Sequence, residues 1–310
     1  MRKNIKYQIS KIKDTNKISK IFLSFCIAVI FLYLLFKSVS SSVFLKNKDR
    51  VNVIFYGPNT TYYSLGFGDV SYFFSIPTNL EVEILGGYGY YRVGSLGKFI
   101  TLESKPDLLR KTFSSVSSSF VYLYFYPKTN AIYYNEHLER FSPGIKEIML
   151  YGSNANPIDR LIIWFYFLGK PSTYYKKIDS LPRKKEDGKD LFDREEFFKT
   201  YQGFFYKKTH RIIKDRVQIL YTKSYKTASL ISNVLDGEGI QVVDVTQIPN
   251  PKSQIPNIDN KCMVIEDNKK TSVTTKDIVA FFGCQFQKGE TEVSDIILML
   301  GNIEREWEVK

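Results

Sequence analysis

The chain has 310 residues, 44% apolar, 25% charged and 15% aromatic, a composition that excludes a disordered acidic tail, a collagen-like repeat and a disulfide scaffold. Its three cysteines lack the clustered Cys/His spacing of a four-ligand zinc site, and two histidines, His137 and His210, leave little room for chemistry that needs several imidazoles. The formal net charge of +12 divides unevenly: residues 1–20 carry seven Lys/Arg against Asp14, residues 21–50 add a net +3, and residues 51–310 hold 33 basic and 30 acidic side chains. A nucleic-acid-binding module keeps its basic excess on the folded part that meets the phosphates, so no nucleic-acid partner is expected.

From Ile21 to Phe36 the chain reads IFLSFCIAVIFLYLLF without a charge, and the tolerant stretch SVSSSVFL follows Lys37. Sixteen residues are short for a span of about 20, but Lys37 can snorkel and Ser38 to Leu45 can continue the helix. A buried core helix is rarely flanked by seven cations. A cleaved signal peptide wants a small-residue site, for which Ser40 to Val43 is a poor match. Residues 21–45 are therefore read as a transmembrane anchor, with residues 1–20 a basic cytoplasmic segment and everything after the span extracytoplasmic. Cys26, within the span, reads as a small buried apolar residue.

Beyond the anchor, Arg50 to Tyr56, Val70 to Ile76, Glu81 to Leu85 and Phe120 to Tyr126 are β-branched and aromatic runs closed by Gly or Pro, and read as strands. Pro106 to Val116 reads as a helix. Asn156-Pro157-Ile158-Asp159 has the order of an N-cap, first turn and acidic third position, opening a helix that stops at Gly169. Residues 176–196 contain fourteen charged side chains and read as a solvated connector, followed by an aromatic helical face through Phe197, Phe198, Tyr201 and Phe205.

From Arg216 the pattern is regular. A strand at Val217 to Leu220, a helix at Ser224 to Leu235 and a strand at Ile240 to Val245 are followed, after a loop containing Pro249, Pro251 and Pro256, by a strand at Cys262 to Glu266, a helix from Thr274 to Phe282 and a strand at Asp295 to Leu300. This β-α-β-β-α-β order is that of a split βαβ sandwich with both helices on one face of a four-stranded sheet. The fold class is thus α/β with α+β elements: an N-terminal transmembrane helix, a mixed-sheet domain, and the sandwich. A helix that crosses back over its own strand brings Cys262 and Cys284 to one end of the domain, either as a disulfide or as two buried thiols.

Several strings resemble the LytR-CpsA-Psr family of cell-envelope proteins, ending in a LytR C-terminal domain. The resemblance covers most of residues 45–303. VNVIFYG at Val51 to Gly57 is similar to the family's opening strand, and SIPTNLEVEILGGYGYYRVG at Ser75 to Gly94 to its SIPRD string and the glycine-rich stretch after it. VQIL, LISNVLDGEGIQVVDV and DIILMLG fall at the spacing of the C-terminal domain. The resemblance implies a family-like domain over 46–175, a charged connector and helix over 176–212, and a LytR C-terminal domain over 213–303. It also implies transfer of a glycopolymer from a polyprenyl-phosphate carrier onto peptidoglycan. A pyrophosphate leaving group needs guanidinium forks and a divalent cation held by carboxylates.

This chain departs from that chemistry. After Ile76-Pro77 stand Thr78 and Asn79, where the family has arginine and aspartate. Asp69 matches an upstream metal-binding aspartate, but Phe67 replaces its arginine partner. Arg92 and Lys98 remain as candidate phosphate contacts, each also readable as an ordinary surface cation. The glycine turn of the C-terminal domain is replaced by Tyr221 to Ala228 (YTKSYKTA), so a ligand needing close backbone approach is not expected, and Thr222 or Ser224 reads as a plain helix cap. The expectation is a membrane-anchored extracytoplasmic module that binds or scaffolds envelope glycan, lipid carrier or a partner protein. The alternative is an active transferase using Asp69 and Arg92 with Mg²⁺. A transcriptional regulator fails on the anchor and on the near-neutral charge of residues 51–310.

Overall fold

The computed structural model describes residues 2–134, 141–248, 262–267 and 271–310; His137 and the loop with Pro249, Pro251 and Pro256 lie outside the described residues. Helix α1 (Arg2–Ser41) contains a stretch, Phe22–Ser41, of mean hydropathy 2.3 that is long enough to cross a membrane and is not buried against the rest of the fold. The helix does not continue to Leu45 as the sequence led us to expect. Ser42 adopts an extended conformation and caps a separate short helix, α2 (Val43–Lys46), accepting from the Leu45 amide at 3.3 Å. Its hydroxyl also donates to Asp159 at 2.6 Å.

The first sheet has the order β7-β6-β1-β2-β3-β8, built from β1 (Arg50–Phe55), β2 (Thr60–Gly66), β3 (Ser71–Ile76), β6 (Val121–Tyr126), β7 (Gly152–Ser153) and β8 (Tyr175–Lys177). Every residue of β1 is buried, because the sheet is covered on both faces. Val53, Phe55, Tyr63 and Leu123 pack under α5 (Ile145–Leu150) and α6 (Pro157–Gly169). On the other face Ile54, Tyr62, Phe74 and Val121 meet α3 (Leu96–Leu102), α4 (Asp107–Ser117) and α7 (Arg194–Tyr201).

The connector is more ordered than its charge implies. β9 (Arg183–Glu186) and β10 (Lys189–Phe192) form a hairpin that extends the pair β4 (Glu81–Ile84) and β5 (Gly89–Arg92) into a four-stranded sheet. Asp187 and Gly188 turn it with φ of 50° and 74°, the left-handed pair that a two-residue hairpin requires, while Phe192 is buried against the first-domain core. Helix α8 (Lys208–Ile213) then leads into the last domain.

There the mixed α/β class stands, but the strands are not split. The order is β12-β11-β15-β13-β14, from β11 (Arg216–Tyr221), β12 (Gln241–Gln247), β13 (Met263–Glu266), β14 (Gln285–Lys288) and β15 (Ile296–Met299). Helix α9 (Tyr225–Glu238) joins the adjacent parallel strands β11 and β12, and α10 (Val273–Phe282) joins β13 to β14, a fifth strand whose exposed QFQK carries no hydrophobic alternation. A split unit would place a third strand between each joined pair; here the third strand, β15, separates the two units instead. Both helices do share one face, where Ile231 and Val234 of α9 and Ile278 and Phe281 of α10 close one core with Val217, Ile219, Val264 and Leu298. Cys262 and Cys284 are disulfide-bonded, with Cα atoms 4.7 Å apart.

The two domains meet closely. Phe120 stacks on Phe281 with centroids 3.9 Å apart, and Gly237 lies where a Cβ would come within 1.7 Å of the Ser118 carbonyl oxygen. Between them sits a buried polar cluster. Glu238 accepts from the Phe120 amide (2.9 Å) and the Tyr122 hydroxyl (2.8 Å). Lys207 donates to Asp277 (2.8 Å) and Asn47 and stands 3.8 Å from Glu238, while His210 Nε2 is 3.1 Å from Asp277. Burial pushes the Glu238 carboxyl up despite Lys207. Burial also raises Asp277, but the hydrogen bond from His210 and the Lys207 charge outweigh it and hold that carboxyl low.

Candidate functional site

The stretch after β3 is where the resemblance places chemistry. Pro77 ends the strand, Thr78 turns inward at 2% exposure, and Asn79 faces solvent. Thr78 cannot point elsewhere, because its carbonyl accepts from the Gly94 amide at 2.9 Å and Gly94 lies directly against it. A Cβ on Gly94 would stand 2.0 Å from the Tyr133 carbonyl oxygen, so glycine is required there by close approach. Among the described residues the Thr78 hydroxyl has no hydrogen-bond partner.

Beside it opens a pocket of about 190 Å³, lined by Asn59, Thr60, Ile76, Thr78, Asp179 and Arg183. Arg183 is the guanidinium that sequence reasoning missed. It comes from β9, some hundred residues away, and only the hairpin's pairing with β4 brings it to this edge. Its charge is offset by Asp190 at 3.7 Å, and Asp179 adds a carboxylate to the same wall. Among the described residues the pocket thus offers one shared cation where a pyrophosphate needs several.

Asp69 lies at the other end of β3, a strand about 17 Å long. It is held 3.4 Å from Arg50 and 3.2 Å from Lys208, and its Oδ1 accepts from the Val70 amide at 2.8 Å. Burial raises this carboxyl, but that amide and the two cations outweigh it and keep it low. Arg50 is itself nearly fully buried, donating to Ser64, Val70 and Tyr206. This is a structural joint, and the cationic neighbours of Asp69 do not fit a Mg²⁺ site. Among the described residues no three His, Cys, Asp or Glu side chains gather to hold a metal. Phe67 packs edge-on to Phe44 and Tyr166. Arg92 is 65% exposed and 3.8 Å from Glu81, Lys98 stands exposed on α3, and neither lines the pocket beside Thr78.

A larger cleft, about 440 Å³, lies between the domains. Tyr90 of β5 and Tyr225 at the start of α9 expose their rings in it, with Lys184, Lys226, Ser229 and Asn233 around them. Its floor is fixed by Arg194, which donates to Glu83 (2.7 Å) and Ser115 (3.0 Å). Burial, and next the Glu83 charge, push the Tyr90 hydroxyl above its usual value, so it stays neutral and able to donate. Exposed tyrosine rings beside hydroxyl, amide and ammonium groups suit a polar ligand with apolar faces, as a saccharide has.

The turn of the C-terminal domain holds a finding that its sequence does not reveal. The amides of Thr222, Lys223 and Ser224 converge, as in an anion-binding nest, and the Glu304 carboxylate fills it at 2.6, 2.7 and 3.3 Å, with the Thr222 hydroxyl adding 2.9 Å. Ser224 is the helix cap, accepting from the Thr227 amide.

No protein-family model and no curated protein matches the chain. Among solved structures it is similar to TagV of B. subtilis, at 11% identity over 51% of this chain and 98% of that one, with a TM-score of 0.35. It is also similar to TagT of B. subtilis (11%, 49% and 88%, TM-score 0.28) and TagU of B. subtilis (8%, 49% and 94%, TM-score 0.30). At TM-scores this low the likeness carries no argument, and the functional reading stands on the chain's own residues.

Proposed function

We propose that the chain is a membrane-anchored, extracytoplasmic cell-envelope module of LytR-CpsA-Psr type that binds or scaffolds and does not catalyse transfer, its ligand being envelope glycan or its polyprenyl-phosphate carrier. The observation that carries this reading is the fate of the charged groups around the family's reaction position. Thr78 is buried with a hydroxyl that has no partner among the described residues, Asn79 faces outward, Asp69 is committed to Arg50 and Lys208 at the far end of the strand, and Arg92 pairs with Glu81. Among the described residues, a leaving pyrophosphate there would meet one guanidinium, that of Arg183, already shared with Asp190. The disulfide between Cys262 and Cys284 is in keeping with an oxidising compartment, and the cations before the span favour a cytoplasmic N-terminus. The interdomain cleft with Tyr90 and Tyr225 is the proposed saccharide site.

Two experiments test this. Purified full chain with Mg²⁺ and polyprenyl-pyrophosphate-linked glycan is expected to bind without turnover, with Tyr225→Ala weakening the binding; turnover that disappears in Asp69→Ala would establish the transferase alternative. In spheroplasts, external protease is expected to digest residues 51–310 and spare residues 1–20, and the reverse pattern would refute the topology.

A further inference from the structure

Helix α6 is a surface helix without a polar outer face. Its sequence, PIDRLIIWFYFLG, has no charged residue after Arg160. Asp159, Ile163 and Tyr166 face the fold, whereas Leu161, Phe165 and Leu168, at the i, i+4, i+7 spacing of one stripe, are 44%, 61% and 65% exposed. A helix apolar on every side belongs inside a core or against lipid, and here one side is already in the core.

What meets the other side follows from where the helix begins. Asn156, its N-cap, donates through Nδ2 to the Ser38 carbonyl (2.9 Å) and to the Ser41 hydroxyl (3.1 Å), both in the last turn of the candidate span. Asp159 in its first turn accepts from Ser42 (2.6 Å) and from the Phe44 amide (3.2 Å). The start of α6 is therefore pinned at the level where the anchor leaves the bilayer. The span itself is unburied, so α6 does not run back along it. A helix of 13 residues, about 20 Å long, begins at the membrane boundary and diverges from the anchor with an apolar stripe outward. Trp164 lies beside that stripe, and Lys170 just past the helix sits over the Tyr166 and Tyr174 rings, the aromatic and cationic company usual at a headgroup layer.

We propose that α6 is an interfacial helix that lies on the phospholipid surface, with Leu161, Phe165 and Leu168 at the acyl-chain boundary, so that the first domain is held against the bilayer at two points. This rests on the reading of α1 as a membrane anchor. Trp164 and Trp307 are the two tryptophans, and Trp307 is 1% exposed in the C-terminal core, which makes Trp164 a native reporter. Full-length chain is reconstituted in vesicles of phosphatidylethanolamine and phosphatidylglycerol brominated near the glycerol or near the methyl end of the acyl chains. The expected result is loss of Trp164 emission to shallow bromines and much less to deep ones, a loss absent in Trp164→Phe. It also disappears in the triple variant Leu161→Ser, Phe165→Ser, Leu168→Ser, while all proteins stay in the carbonate-resistant membrane fraction. Unquenched Trp164 in a carbonate-resistant chain overturns the inference and leaves the anchor standing; release by carbonate refutes the anchor and the inference with it. A second copy on the stripe is the other occupant: Phe165→Cys in a Cys26→Ser background that cross-links to itself in the vesicles overturns the lipid assignment.

Discussion

The pocket beside Thr78 and the junction between the domains have opposite chemistries. At the pocket and just beside it, the two positions where the resemblance places an arginine and an aspartate hold a buried threonine that lines it and an exposed asparagine that does not. In the junction, Lys207, Glu238 and His210 are buried and packed together with the half-buried Asp277 and Tyr122. The difference teaches that buried charge in this chain gathers where one domain meets the other, while the pocket keeps only Arg183 and Asp179 among neutral polar and apolar groups. Buried ion pairs are weak evidence of net stability, but removing one partner strands the rest.

Lys207→Met should show the largest effect, because it takes the cation from between two carboxylates. A loss of about 3–5 kcal/mol in denaturant unfolding is expected, and a loss no larger than a surface lysine's would break the contrast. Cys284→Ser comes next. The bridge, between residues 22 apart in sequence, fixes the end of α10 that presents Phe281 to Phe120, and its removal is expected to cost about 3 kcal/mol, read by comparing oxidised and reduced unfolding curves.

Asp236, beside the junction, sharpens the comparison by pH. Burial pushes its carboxyl up to about 6, against the hydrogen bond from the Val242 amide. A folded value raised above an unfolded one of about 4 means that its stabilising contribution is complete below about pH 4 and is lost as pH rises through about 6. Asp236→Asn keeps the acceptor for Val242 and removes the charge. It should raise the thermal midpoint at neutral pH, by the equivalent of about 2 kcal/mol, and leave it unchanged near pH 4. Smallest is Thr78→Val. Replacing a buried hydroxyl that has no partner among the described residues with a methyl should be neutral or stabilising by up to about 1 kcal/mol and should leave ligand binding intact. A large drop in binding would mean that the threonine is used after all.

Much of this fold was legible in the sequence, because strands such as VNVIF and VYLYFY are made of residues that suit a covered sheet, and Asn156-Pro157 announces α6 through its own capping chemistry. Other elements, among them β5, α3 and α5, were not, and three regions show why. β2 (TTYYSLG) lies close before β3 and was not separated from the turns around it. The β9–β10 hairpin carries its signal in Asp187-Gly188, which the surrounding charges masked. β14 is an exposed edge strand without alternation. The candidate site was legible only in what it lacks. Thr78 and Asn79 could be read off directly, but the pairing of Asp69 with Arg50, the approach of Arg183 and the filling of the nest by Glu304 join residues far apart in the chain, and no local pattern encodes such contacts.

The carboxylate of Glu304 also sets what the C-terminal domain can sense. A nest whose anion is part of the same chain sees that anion at an effective concentration on the order of millimolar or above, at all times and without diffusion. A phosphate or a free carboxylate from solution must outcompete a tethered rival that is already seated and mostly buried. The turn is therefore deaf to ordinary changes in surrounding anions: what in an open nest is a receptor has become a permanent closure, holding the segment after β15 to the start of α9.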